Sequence, residues 1–164
     1  MNAPATMWPP ELARPAVVFA DEKLRIASYE DLLVLRWMDS PGVVHFEAAL
    51  RTARKAAERG RLGLLSVADA PSKRPHLTVE EAAAGKRMSE GFQNVTKAVA
   101  HVILMDGFVG ASARMIISTL ILVRRSGSPN KVFSTLEEGQ RWLAPFLSSP
   151  AVADRALEIF ASLC

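Results

Sequence analysis

Three histidines, one cysteine and a cluster of basic residues are the side chains of this 164-residue sequence whose types could do chemistry. His45, His76 and His101 lie tens of residues apart, and none has a second ligand at the short spacing a metal site uses. His101 sits in an apolar run and is expected to be a hydrogen-bonded core histidine. Cys164 is the last residue in the sequence. A nucleophilic thiol needs a positioned base and a rigid site, so a free thiol is expected there. One cysteine allows no intrachain disulfide, and nothing marks the chain as secreted. Asp106 closes an apolar segment, where it would face the sheet edge at which α/β proteins commonly bind ligands. Gly107 and Gly110 bracket Phe108 and Val109 just after it. A helix N-terminus there could hold an anion, but glycines that permit a tight turn and close packing are the simpler account. Arg51, Arg54, Lys55, Arg59 and Arg61 form the densest basic patch. Arg51, Lys55 and Arg59 recur at spacings of four, yet Glu47 and Glu58 accompany them and no aromatics interleave. A solvated helix face is expected rather than a nucleic-acid surface. The net charge of +3 is too small to argue otherwise, even at a sequence pI of 9.4. No catalytic constellation or phosphate loop assembles, so the expectation is a non-enzyme without metal or cofactor.

The elements that must position these groups are organised around Gly107–Arg125, GFVGASARMIISTLILVRR, the longest apolar run. As a helix it is apolar on more than one side. Ala113, Ile116, Ile117, Leu120 and Val123 share a broad face, and Met115 and Leu122 sit round from it beside Arg114, Ser118 and Arg125. The stretch is too short for a membrane span, and Arg114 interrupts it, so no stable membrane insertion is expected. Its second apolar side requires a cover. Phe108, Met115, Ser118 and Leu122 are therefore candidate interaction residues, and Arg114 and Arg125 candidates for contacting an anion or a lipid head group.

Residues 1–15 carry four prolines and read as a flexible lead-in. Strand-like segments follow at 16–20, 24–30 and 32–38, the last apolar on nearly both faces and so placed well inside a sheet. Ser40 is expected to cap, and Pro41 to open, an amphipathic helix that ends at Gly60. LGLLSVAD at 62–69 is the next strand. APSKRPH at 70–76 is a loop, and Thr78 with Glu81 forms a capping box for a helix to about Phe92. A strand spans 98–105. After the 107–125 helix and a dense turn signal at 126–130, Lys131-Val132-Phe133 forms a short strand. Ser134 with Glu137 is expected to cap the next helix, and Ser149-Pro150 to start one more, with Val152, Ala156, Ile159, Phe160 and Leu163 on one side. Alternating strands and helices imply an α/β fold with crossover connections.

This order, with "KVFSTLEEGQRWL" at 131–143 and AVAHVILMDGFVGASARMIISTLILV at 98–123, resembles the STAS-like superfamily, the group of anti-sigma-factor antagonists and of the cytoplasmic domains of sulphate transporters. The resemblance is closer to a little-characterised bacterial branch and covers about residues 24–147. It implies a STAS-like sandwich: a mixed sheet of about five strands with crossover helices over 16–148, and an extra C-terminal helix at 149–164. Antagonists of that group carry an Asp-Ser-Ser-Gly-type sequence whose serine is phosphorylated. Here the comparable junction reads APSKRPHLTVEE at 70–81, with only Ser72 and Thr78 as hydroxyls, so no phosphoacceptor is carried over. The function implied is a cytoplasmic, non-catalytic interaction or regulatory module. It would work through an apolar helix surface, as a homodimer or on a regulatory protein, and not on nucleic acid. Binding of a small apolar or lipid-like ligand is the alternative.

Overall fold

A computed structural model describes residues 14–69, 77–105 and 127–164. Its centre is a mixed sheet in which six strands lie in the order of the sequence: β1 (Ala16–Ala20), β2 (Leu24–Tyr29), β3 (Leu32–Trp37), β4 (Leu62–Ala68), β5 (Thr96–Ile103) and β6 (Asn130–Phe133). β1, β2 and β3 run antiparallel as a meander, and β3 to β6 are parallel. The expectation of about five strands is one short, because both the first segment and the three-residue KVF segment join the sheet.

β3 and β4 are flanked on both edges, and their residues Leu32–Leu35 and Leu62–Leu65 are buried without alternation. Parallel strands with both faces covered read as continuous apolar runs for this reason. Helices α1 (Val43–Ala56) and α2 (Val79–Val95) cover one face. There Ala49, Ala53 and Phe92 pack with Leu24, Ile26, Leu33, Leu35, Leu64 and Val99. The chain after β6 covers the other, as α3 (Leu136–Leu143), α4 (Pro150–Asp154) and α5 (Ala156–Ser162). Leu143, Val152, Ile159 and Leu163 pack there with Val34, Leu65, Val67 and Val102.

Local signals place most boundaries. Thr78 and Glu81 form the expected reciprocal capping box, with Glu81 N–H donating to Thr78 Oγ1 at 3.1 Å and Thr78 N–H to Glu81 Oε2 at 2.8 Å. Two other caps are shifted. α1 begins after Gly42, not Ser40, and His45 Nδ1 accepts from the Gly42 N–H at 2.9 Å. α3 is capped by Thr135, which accepts from Glu138 N–H at 3.2 Å, rather than by Ser134. In both cases a neighbouring residue could equally supply the extended backbone of a cap, and packing chose between them. β5 starts at Thr96, directly after α2.

The expected single C-terminal helix is two short ones separated at Arg155. Its apolar periodicity survives the break, since Val152, Ala156, Ile159, Phe160 and Leu163 are all buried. The segment packs on its own sheet as part of one core. The 107–125 helix lies outside the described residues. Among the described residues no helix is long and apolar enough to cross a membrane.

Gly139 shows how closely α3 approaches the sheet: a Cβ there would lie 2.7 Å from Val102 Cγ2 and 3.3 Å from Leu65 Cδ1. Gly139→Ala is expected to lower stability by about 1–3 kcal/mol through overpacking, read from the midpoint of urea unfolding.

Candidate functional site

Polar chemistry in the described residues gathers at the two ends of the parallel strands. At the end where β3 to β5 begin, the two-residue turn Glu30-Asp31 joins β2 to β3, with Glu30 at φ 49. Asp31 is 2% exposed. Its Oδ2 accepts from Lys97 Nζ at 2.6 Å and from Ser148 N–H at 2.8 Å, and its Oδ1 accepts from Ser148 Oγ at 2.8 Å. The carbonyl of Asp31 also accepts from Gly63 N–H at 2.7 Å. One residue thus ties the meander to β4 through its carbonyl, and to β5 and the connection between α3 and α4 through its carboxylate. A buried charge persists only when paired and hydrogen-bonded, and this one has an ion pair and two further donors. It acts as a fastener between elements.

At the opposite end, Arg36 on β3 donates Nε to Asp69 Oδ2 at 2.6 Å. It also donates Nη1 to the Leu163 carbonyl at 2.7 Å, and Arg25 Nη1 reaches the same carbonyl at 3.0 Å. The Arg36 guanidinium lies 5.3 Å from the Phe160 ring centroid. These contacts satisfy carbonyls that the end of α5 leaves without intrahelical partners. On the α1/α2 face, Asp21 accepts from His45 Nε2 at 3.0 Å and from the N–H groups of Lys23 and Leu24 at 2.7 and 2.8 Å. Burial pushes the Asp21 carboxyl up, but the two backbone donors and His45 outweigh it, and the net position is below the ordinary 3.8.

The remaining group is a polar row across that same face. Trp37 Nε1 donates to Ser66 Oγ at 3.0 Å, Ser66 is the register neighbour of His101 on β5, and His101 Nε2 meets Asn130 Oδ1 at 3.3 Å. Asn130 Nδ2 donates to the Ser128 carbonyl at 2.6 Å. That bond orients the amide oxygen toward the ring and so assigns the proton to His101 Nε2. Desolvation holds His101 down at about 4, against the Asn130 bond, which raises it. The ring is therefore neutral near pH 7. His101 is the hydrogen-bonded strand histidine expected from the sequence. Ser66 has no hydrogen bond to it, so serine, histidine and asparagine share a row without forming a proton relay. An open recess beside β6 and α3 is lined by Lys131, Phe133, Ser134, Glu138, Arg141 and Trp142.

The candidate interaction residues Phe108, Met115, Ser118 and Leu122, and the candidate anion contacts Arg114 and Arg125, lie outside the described residues, as do Ser72, His76 and Asp106. On α1, Arg51, Arg54 and Lys55 are exposed, as a solvated face requires. Asp31, Lys97 and Ser148 carry no signal of their own in the sequence. Their partners are 66 and 117 residues apart, and no local pattern announces such a contact. Among the described residues large aliphatics are exposed on an edge strand and near two helix starts. Val17 and Val18 stand on the edge strand β1, at 56% and 47%, and Val44, Leu77 and Val79 stand at the first turns of α1 and α2. Among the described residues no group of three or more His, Cys, Asp or Glu is placed to hold a metal ion.

The chain matches no family model, no curated protein and no solved structure.

Two measurements test these assignments. Asp31→Ala leaves Lys97 and Ser148 without their acceptor and is expected to cost about 2–3 kcal/mol, less than a fully buried pair because water reaches Lys97; urea unfolding reads it. For His101, the folded pKa of about 4 lies below the ordinary 6.5. The unfolded chain then binds a proton that the folded chain refuses, so stability falls as pH drops through that window and levels off below it. His101→Gln should flatten this part of the curve of unfolding midpoint against pH.

Proposed function

We propose that this chain is a non-catalytic, STAS-like interaction module of the bacterial cytoplasm that works by associating with a second copy or with a regulatory protein. The observation that carries this is the contrast between its charges and its exposed aliphatics. Asp21, Asp31, Arg36, Asp69 and Lys97 are engaged in contacts that hold elements together. Val17, Val18, Val44, Leu77 and Val79 are left in solvent. Isolated surface valines are ordinary, but paired ones on a sheet edge and at the ends of adjacent helices are the raw material of an interface. The six strands in sequence order, with both α1 and α2 on one face, support the fold half of the proposal. The apolar side of the 107–125 helix bearing Met115 and Leu122 is a second surface of the same kind by its sequence.

A small apolar ligand is the weaker alternative, because the recess beside β6 is open and carries Lys131, Glu138 and Arg141, whereas apolar ligands favour enclosed, mostly apolar sites. Sedimentation equilibrium of the full chain across the micromolar range is the deciding measurement. Association that strengthens with concentration is expected, and a strict monomer throughout counts against self-association.

A further inference from the structure

Charged groups at the two ends of the strands are spent on holding elements together, but those around the recess beside β6 and α3 are not. The Lys131 ammonium and the Arg141 guanidinium have no ion-pair or hydrogen-bond partner among the described residues, and neither has the Glu138 carboxylate one turn before Arg141. Lys131 instead lies 5.4 Å from the Phe133 ring centroid. Ser134 is exposed, and because Thr135 caps α3 in its place, its hydroxyl is left over. Trp142 is half-buried and also keeps its donor: Trp37 Nε1 donates to Ser66, whereas the Trp142 indole N–H has no acceptor among the described residues. An indole in such a position normally finds a partner.

The walls that carry these groups are fixed by packing. The Trp142 ring contacts both Phe133 and Phe146, at centroid separations of 5.6 and 5.2 Å, and Gly139 seats α3 directly on Val102. The recess has a volume of about 590 Å³, within the range of small-molecule sites. We propose that it binds a small planar aromatic monoanion, a carboxylate or sulfonate, with the ring against Trp142 and the acid group between Lys131 and Arg141. This goes beyond association with a protein partner and does not depend on it.

The lining selects this class over its neighbours. Lys131 and Arg141 against Glu138 leave one positive charge in excess, which a single acidic group neutralises. A neutral apolar molecule would desolvate both cations without pairing them. A dianion would overshoot the charge and be repelled by Glu138. An aliphatic acid would answer to the cations but forgo stacking on the indole. Glu138 then accepts from any N–H or O–H that the ligand ring carries, and the Trp142 N–H and Ser134 hydroxyl are further donors to it.

Titration calorimetry of the full chain with naphthoate tests the site, with naphthamide as the uncharged isostere and cyclohexanecarboxylate as a non-aromatic acid. Naphthoate is expected to bind saturably with a dissociation constant below about 1 mM, at least about tenfold more tightly than either comparator. Lys131→Gln and Arg141→Gln should each weaken it about tenfold, with far-UV circular dichroism showing that both remain folded. Arg51→Gln, on the exposed face of α1, should change it by less than about twofold. In a proton–nitrogen correlation spectrum the Trp142 indole signal, assigned with Trp142→Phe, should move on titration while that of Trp37 stays. No saturable binding, equal binding of the amide, or binding indifferent to both charge variants overturns the site. Association is read separately by sedimentation, so either proposal can fail alone.

Discussion

Burial of β3 and β4 on both faces is the constraint on which the rest depends. A strand apolar on one side needs one cover, but Leu32–Leu35 and Leu62–Leu65 are apolar on both sides and need two. Crossovers of one hand, between strands added in one direction, deliver their helices to the same face. α1 and α2 do this and leave the other face bare. The segment after β6 must therefore return across the whole sheet, and α3 to α5 are the consequence. The last helices are as much a part of the core as the strands, with Ile159 and Leu163 at 0% and 1% exposure.

Charged residues at the two ends of the strands make sense as the fasteners of that return. Asp31 holds its middle through Ser148, and Arg36 with Arg25 holds its finish through the Leu163 carbonyl. Each lies where a layer of apolar packing ends and backbone groups would otherwise lack partners. Hydrogen-bonded geometry of this kind commits these groups to holding elements together. A carboxylate with three side-chain and backbone donors, or a guanidinium divided between a carboxylate and a carbonyl, is committed before any substrate arrives. His101 is neutral and turned toward Asn130. What the described surface offers instead is aliphatic, and its best-defined portion is an edge strand.

Most of the elements were legible in the sequence because their signals are local. Apolar runs marked the segments that become strands, although a sheet of about five was expected and six form, the Thr78/Glu81 box placed α2, and periodicity placed the inward residues of α1 and of the C-terminal segment. The caps of α1 and α3 were misplaced by one or two residues, since Ser40 and Gly42, or Ser134 and Thr135, are equally capable locally. One expected C-terminal helix became two because apolar spacing does not register a one-residue interruption at Arg155, whose backbone stays in the helical region.

By itself the sequence determined most of the described strands and helices, that β3 is interior, and that His101 is a hydrogen-bonded strand histidine, all of which follow from the period and polarity of a few neighbouring side chains. Only the tertiary structure decided which face the C-terminal helices cover, that Asp31 is buried beneath Lys97 and Ser148, and that β1 ends the sheet with its valines exposed. Those outcomes depend on groups brought together from 33 to 138 residues apart. Their pairing is chosen by which arrangement buries two apolar faces while leaving no charge without a partner, and no local spacing encodes it.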